Sequence, residues 1–207
     1  MLALYDHPIS SNALKVRFLL AELAIEYERR TVPITRPRPD WYIEINPLAG
    51  IPALQDGDLV VSESNAILRY LANRERRTDL YPAEPATRAR VDMMLDRYSM
   101  TLRPALFQVE SAAIGFTPEG GFGSAPGDPE AARAKAEAIA PTLRTFDGLV
   151  AADGYWLGEF SIVDCAAAPA LYRTTITGLD MTPYPNLLRL RDRLMARPAF
   201  RQADPAG

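Results

Sequence analysis

The sequence predicts a small α/β unit followed by a larger all-helical one. Three observations carry this. Before about residue 80, short apolar runs alternate with segments of helical period. After about residue 85 the strand signals fade and helical period alone continues. With 207 residues, 48% of them hydrophobic, the chain can bury a sizeable core in one or two domains.

The elements follow in order. "LALY", 2–5, is a short apolar strand. Residues 12–24 place Val16, Leu19, Leu20 and Leu23 at helical spacing, with Lys15, Arg17 and Glu22 between them. "YERRTV", 27–32, is a second strand, and the helix between the two implies a right-handed parallel crossover. "IPALQDG" and "LVVSES" form a hairpin turning at Asp56, Gly57 and Asp58, which adds an antiparallel edge. "SNAILRYLANRE", 64–75, is a helix, and "RERR", 74–77, closes it with charges that suit its C-terminal dipole.

The helical part begins with one long helix over 86–115, with Val91, Met94, Leu95, Tyr98, Leu102, Leu106 and Val109 at threes and fours. Pro104 lies inside it and should bend or locally break it. "TPEGGFGSAPGDP", 117–129, is a glycine- and proline-rich loop. Asp128, Pro129 and Glu130 then supply an N-cap, a first helical residue and a first-turn acid. Two further helices lie near 161–176 and 186–196. The boundary falls within "RRTDLYPAEPA", giving units of 1–77 and 86–207 with 78–85 as the link.

Composition excludes several functions. Net charge is −3 and the pI about 5.3, which disfavours electrostatic capture of nucleic acid. Only Lys15 and Lys135 are lysines among 23 basic residues, and the arginines are scattered. Cys165 is the one cysteine, so no internal disulfide forms and no multi-cysteine metal site exists. His7 is the one histidine, a loop residue that makes no metal site alone. Cys165 sits in an apolar helix and reads as a buried, inert thiol. No run of 18 apolar residues appears and the N-terminus lacks a signal-peptide pattern, so a soluble, cytoplasmic protein is expected.

Three stretches could carry chemistry. Ser10 and Ser11 follow a strand and open a helix, where free backbone N–H groups gather; they either cap it or help hold an anion there. In "NPLAGIPALQDGD", 46–58, Pro52 comes directly before a strand. It is either an ordinary loop proline or the site of a cis Ile51–Pro52 bond that turns the Ile51 backbone N–H and C=O outward. In "VSESNAILRYL", 61–71, Ser64 can cap a helix whose N-terminus also suits a carboxylate, and Glu63 beside it can hold an ammonium. An α-amino acid head group presents both charges.

In this order and spacing, the chain resembles the glutathione transferase family over nearly its whole length. "LYDHPISSNALKVR" is similar to the family's first strand, active-site loop and first helix. "NPLAGIPAL" resembles its cis-proline motif and "SESNAILRYL" its γ-glutamyl-binding motif. "SIVDCAAAPAL", 161–171, resembles its internal capping-box helix. That match also stands physically, because Ser161 and Asp164 can satisfy each other's backbone N–H groups.

The resemblance implies a thioredoxin-like first domain and an all-α second domain. It implies that glutathione is the co-substrate, with no metal. Ile51, beside a cis Pro52, would pair its backbone with the cysteinyl unit, and Glu63 and Ser64 would hold the γ-glutamyl end. Ser10 would donate a hydrogen bond to the sulfur, with Ser11 and Asn12 also in reach of that loop. A free thiol has a pKa of about 8.5, and lowering it by about two units needs roughly 2.7 kcal/mol. One charge-assisted hydrogen bond plus a helix N-terminus is of that order. Tyr5, at the end of the first strand, reads as a packed strand residue. The lysine or glutamine that often precedes the proline motif to grip the glycyl carboxylate is absent, leaving Arg36 or Arg38 as substitutes. The serine pair is also similar to the zeta class, the maleylacetoacetate isomerase relatives. That motif continues with cysteine where this chain has Asn12, so that activity is not assigned.

The electrophile pocket should lie between the domains, with Met94, Tyr98, Phe107 and Phe116 as its candidates. The implied activity is conjugation of the glutathione thiolate to small hydrophobic electrophiles, a detoxification chemistry. The alternatives are a glutathione-dependent disulfide reductase or peroxidase, and a non-catalytic binder. A homodimer is the expected assembly.

Overall fold

A computed structural model describes residues 1–151 and 154–203. The predicted end of the second unit, 204–207, lies outside the described residues. The first unit contains β1 (Leu2–Asp6), α1 (Ser11–Glu22), β2 (Tyr27–Thr31), α2 (Asp40–Ile45), β3 (Ala53–Asp56), β4 (Leu59–Ser62) and α3 (Ser64–Arg74). Its sheet runs β2-β1-β3-β4, with β1 parallel to β2 and antiparallel to β3. Gly57, at φ +59°, turns the β3–β4 hairpin with Asp58. The crossover and the hairpin edge are those the sequence predicts. The segment between β2 and β3 is not a plain link, because it holds the short helix α2.

The helical part contains α4 (Pro85–Arg97), a π-helical turn (Tyr98–Leu102), α5 (Arg103–Ile114), α6 (Pro129–Asp147), α7 (Ile162–Thr177), α8 (Pro185–Met195) and α9 (Pro198–Ala203). The single helix predicted over 86–115 is therefore three pieces. Pro104 has no N–H for the Met100 carbonyl, and the ladder adjusts one turn earlier. There the Arg103 N–H reaches back to the Tyr98 carbonyl, five residues away, as a π turn requires. The predicted loop at 117–129 also carries a small hairpin, β5 (Phe116–Thr117) with β6 (Gly121–Phe122).

Helix α1 lies at the junction, packing on α3 from its own unit and on α7 and α9 from the other. Its first nine residues are buried but for Asn12, including the polar Lys15 and Arg17. Arg17 binds both carboxylate oxygens of Asp6 at 2.7 and 2.8 Å and donates to the Ala203 carbonyl at 2.9 Å, so β1 and α9 are fixed to the same side chain. On the far side, Arg197 binds Glu22 and donates to the Tyr155 hydroxyl. Helix α7 is buried on nearly every face, so its start must be satisfied internally. Ser161 and Asp164 form the reciprocal capping box, and the Asp164 carboxylate also accepts from the Trp156 backbone N–H at 3.1 Å. Cys165, the next residue, is fully buried, and burial pushes its thiol well above the ordinary range.

Asp164→Ala leaves three buried donors unmatched and should cost about 2–4 kcal/mol in denaturant unfolding. Ser161→Ala should cost about 1 kcal/mol. An Asp164→Ala midpoint indistinguishable from wild type would contradict this account of the box.

Candidate active site

The loop after β1 delivers Ser10 to the start of α1. Ser10 has extended backbone angles and is the N-cap, accepting the Ala13 N–H on its side-chain oxygen at 3.2 Å. This bond uses a lone pair, so the hydroxyl proton stays available to donate outward. Ser10 is half-buried, whereas Ser11 is buried and accepts from the Arg103 guanidinium at 3.1 Å. The two neighbouring hydroxyls thus have different environments. Tyr5 is committed elsewhere: its hydroxyl donates to Gln55 at 2.9 Å and accepts from Arg30 at 2.7 Å.

The second stretch is a braced loop. Tyr42 and Asn46, on and just after α2, both donate to the Gly50 carbonyl, and Arg38 donates to that of Ala49. The Ile51–Pro52 bond that follows is cis. Ile51 packs against the small cluster of Tyr5, Val32, Tyr42 and Ala53. Arg38 also donates from Nη1 to the carbonyls of Pro33 and Thr35, so it organises this loop; Arg36 is exposed.

The third stretch starts α3. Glu63 is exposed at φ +65°, a left-handed conformation that a non-glycine residue adopts at a cost of about 1–3 kcal/mol. It makes no side-chain cap bond, so its carboxylate is uncommitted to the helix. Ser64 is the first helical residue and is buried. Beneath it, Lys15 donates to Asn65 Oδ1 at 3.0 Å, and Asn65 Nδ2 donates to Ser99 Oγ in the π turn at 2.7 Å. Burial lowers the Lys15 pKa to about 7, with Arg103 adding to the effect and Glu63 opposing it.

The helical part closes the site with charges and rings. Glu110 is held by both Arg103 and Arg173, and Arg173 also donates to the Ile9 carbonyl in the β1–α1 loop. Phe107 and Phe116 are half-buried and in mutual contact with Phe122, their centroids 5.1 to 5.6 Å apart. Met94 and Tyr98 are withdrawn from this wall: at 4% and 2% exposure they belong to the core and offer no face to a ligand. Met94 and Tyr98 stand four apart on the predicted helix, a spacing that core and cleft residues share. The sequence marks Arg103 only by its place beside Pro104 and Phe122 only by its place among glycines, and it does not mark Arg173. None of these groups lines the cavity of about 730 Å³ between α5, α6 and the α7–α8 link. Among the described residues no group of His, Cys, Asp or Glu is arranged to hold a metal, and no helix is long and apolar enough to cross a membrane.

A thioredoxin-like sheet domain joined to a helical domain, with a serine-capped α1 at the junction, defines a glutathione-transferase fold. The family model for the glutathione S-transferase N-terminal domain matches residues 1–73, and that for the C-terminal domain matches 129–193. The chain belongs to the glutathione S-transferase family. Glutathione S-transferase GstB of Escherichia coli strain K12 is 32% identical, over 98% of this chain and 97% of its own. A stringent starvation protein A homolog of Coxiella burnetii is 28% identical, over 88% of this chain and 80% of its own. The apo structure of human glutathione S-transferase T1-1 superposes with a TM-score of 0.84 at 26% identity, over 100% of this chain and 89% of that one.

The Lys15 shift has a direct consequence. With a folded-state pKa near 7 against an ordinary 10.5, the folded chain binds fewer protons than the unfolded chain between those values. The Lys15 contribution to stability should therefore rise as pH climbs from about 7 toward 10. Measured against Lys15→Met, the wild-type unfolding free energy should gain over that window. Parallel curves would contradict the assignment.

Proposed function

We propose that the protein is a glutathione transferase that conjugates the glutathione thiolate to small electrophiles, with Ser10 as the residue that holds the sulfur. The observation that carries this reading is the state of Ser10. Its oxygen is fixed by the Ala13 N–H while its proton remains free to donate into the opening. The N-terminus of α1 adds positive potential at the same point. Both favour thiolate over thiol. The Ile51 backbone would align the cysteinyl unit. Ser64 and the N-terminus of α3 would take the γ-glutamyl carboxylate, and Glu63 its ammonium. The thiolate forms a carbon–sulfur bond at the electrophilic carbon, the leaving group departs with its electron pair, and the thiol proton passes to solvent.

A second reading, a non-catalytic glutathione-binding protein, draws on the likeness to a stringent starvation protein A homolog. It also draws on the absence of a lysine or glutamine before Pro52. A disulfide reductase or peroxidase would have to rely on glutathione alone, because Cys165 is buried away from the site. As assembly we propose a two-fold dimer. Leu59 and Val60 on the sheet edge and Met93 and Met100 along α4 and the π turn are exposed apolar side chains, suited to a partner surface.

Turnover of 1-chloro-2,4-dinitrobenzene with glutathione tests the assignment. Ser10→Ala should lower kcat by roughly 10- to 100-fold at neutral pH, matching one or two units of thiol pKa. Ser11→Ala should cost much less. Equal rates for Ser10→Ala and wild type reject the role of Ser10, and the absence of calorimetric binding at millimolar glutathione rejects the function. Light scattering should give twice the monomer mass at micromolar concentration; a stable monomer would rule out the dimer.

A further inference from the structure

Two arginines and one glutamate close the site opposite Ser11, and their charges do not cancel. Glu110 is 3% exposed, and the side chains of Arg103 and Arg173 are 17% and 11% exposed. Little solvent therefore screens the surplus positive charge, and an excess cation in such a setting is costly until an anion joins it. Neither guanidinium is exhausted by its contacts. Arg103 gives one N–H to Glu110 and one to Ser11; Arg173 gives one to Glu110 and one to the Ile9 carbonyl. Each carries further N–H groups in a planar fork suited to a carboxylate.

The same arginines are joined to a cluster of aromatic rings. The Arg103 guanidinium stands 5.0 Å over the Phe107 ring and that of Arg173 4.8 Å over Phe122, with Phe116 completing the three-ring cluster. A ligand meeting this cluster finds aromatic rings and forked cations together, next to the loop that carries Ser10. Resting on the glutathione-transferase reading above, we infer that the preferred electrophile is an aromatic compound bearing a carboxylate, its charge held by Arg103 and Arg173 and its ring against the cluster of Phe107, Phe116 and Phe122. If the charge served only the thiolate, it would not discriminate among electrophiles.

The test compares 4-chloro-3,5-dinitrobenzoate with its methyl ester, each with glutathione and each divided by its own uncatalysed rate. In both, the thiolate bonds to the chlorine-bearing ring carbon and chloride leaves with the electron pair of the C–Cl bond. The wild-type enzyme should accelerate the carboxylate about tenfold more than the ester, with the margin shrinking as salt is raised. Arg173→Gln should bring the ratio of the two accelerations close to one, and Arg173→Lys, which keeps the charge without the fork, should retain part of it. A wild-type ratio of one or below overturns the inference while leaving the transferase reading in place, even where the variants do not fold. Acceleration of neither compound removes the transferase reading and this inference together.

Discussion

The bond from the Ala13 amide to the Ser10 hydroxyl oxygen is the constraint on which the site depends. A capping serine accepts, and so it is oriented; because accepting uses a lone pair, the same serine can still donate. Capping and chemistry are therefore not alternatives at this position. The precision of that hydroxyl is inherited from α1 as a whole. The helix is buried along its first turns and tied through Arg17 to Asp6 on one side and to the Ala203 carbonyl on the other. A buried ion pair adds little net stability, but it fixes geometry. Here it fixes the helix whose first residues face the opening.

Two polar chains cross from the helical part into the sheet domain at this point. One runs Lys15–Asn65–Ser99 beneath the start of α3, and the other runs from Ile9 and Ser11 through Arg173 and Arg103 to Glu110. The first ends in the π turn at 98–102, and the second passes through Arg103, the residue that follows it. Pro104 disrupts the ladder there, and the extra residue in the turn rotates Ser99 and Arg103 relative to a continuous α-helix. Neither domain alone completes the site. In the proposed site the sheet domain would offer the hydroxyl, the Ile51 backbone and Glu63, and the helical domain the cations and the aromatic rings.

Much of the fold is legible in the sequence because its signals are local. The Ser10 cap, the Gly57 turn, the Asp128–Pro129 helix start and the Ser161–Asp164 box each depend on residues within four positions of one another. What was not legible depends on distant partners. A six-residue α2 has too few turns to show a period, yet its Tyr42 braces Gly50. The β5–β6 hairpin has two residues a strand. Arg38 looks like a free cation by position, yet its Nε and Nη1 donate to backbone carbonyls. Met94 and Phe107 both fall within the stretch predicted as one helix, and only packing tells the core residue from the half-buried one. Arg103 and Arg173 are 70 positions apart and meet on Glu110 alone, so no spacing rule joins them.

The central claim is that one oxygen caps α1 while its proton serves the sulfur. A crystal structure with glutathione bound tests it most directly. The account predicts the sulfur within hydrogen-bonding distance of Ser10 Oγ, the Ala13 N–H still bonded to that oxygen, and Ser11 still turned toward Arg103. A sulfur resting on Ser11, Asn12 or Tyr5, or a Ser10 side chain swung off its cap to reach it, would contradict the account.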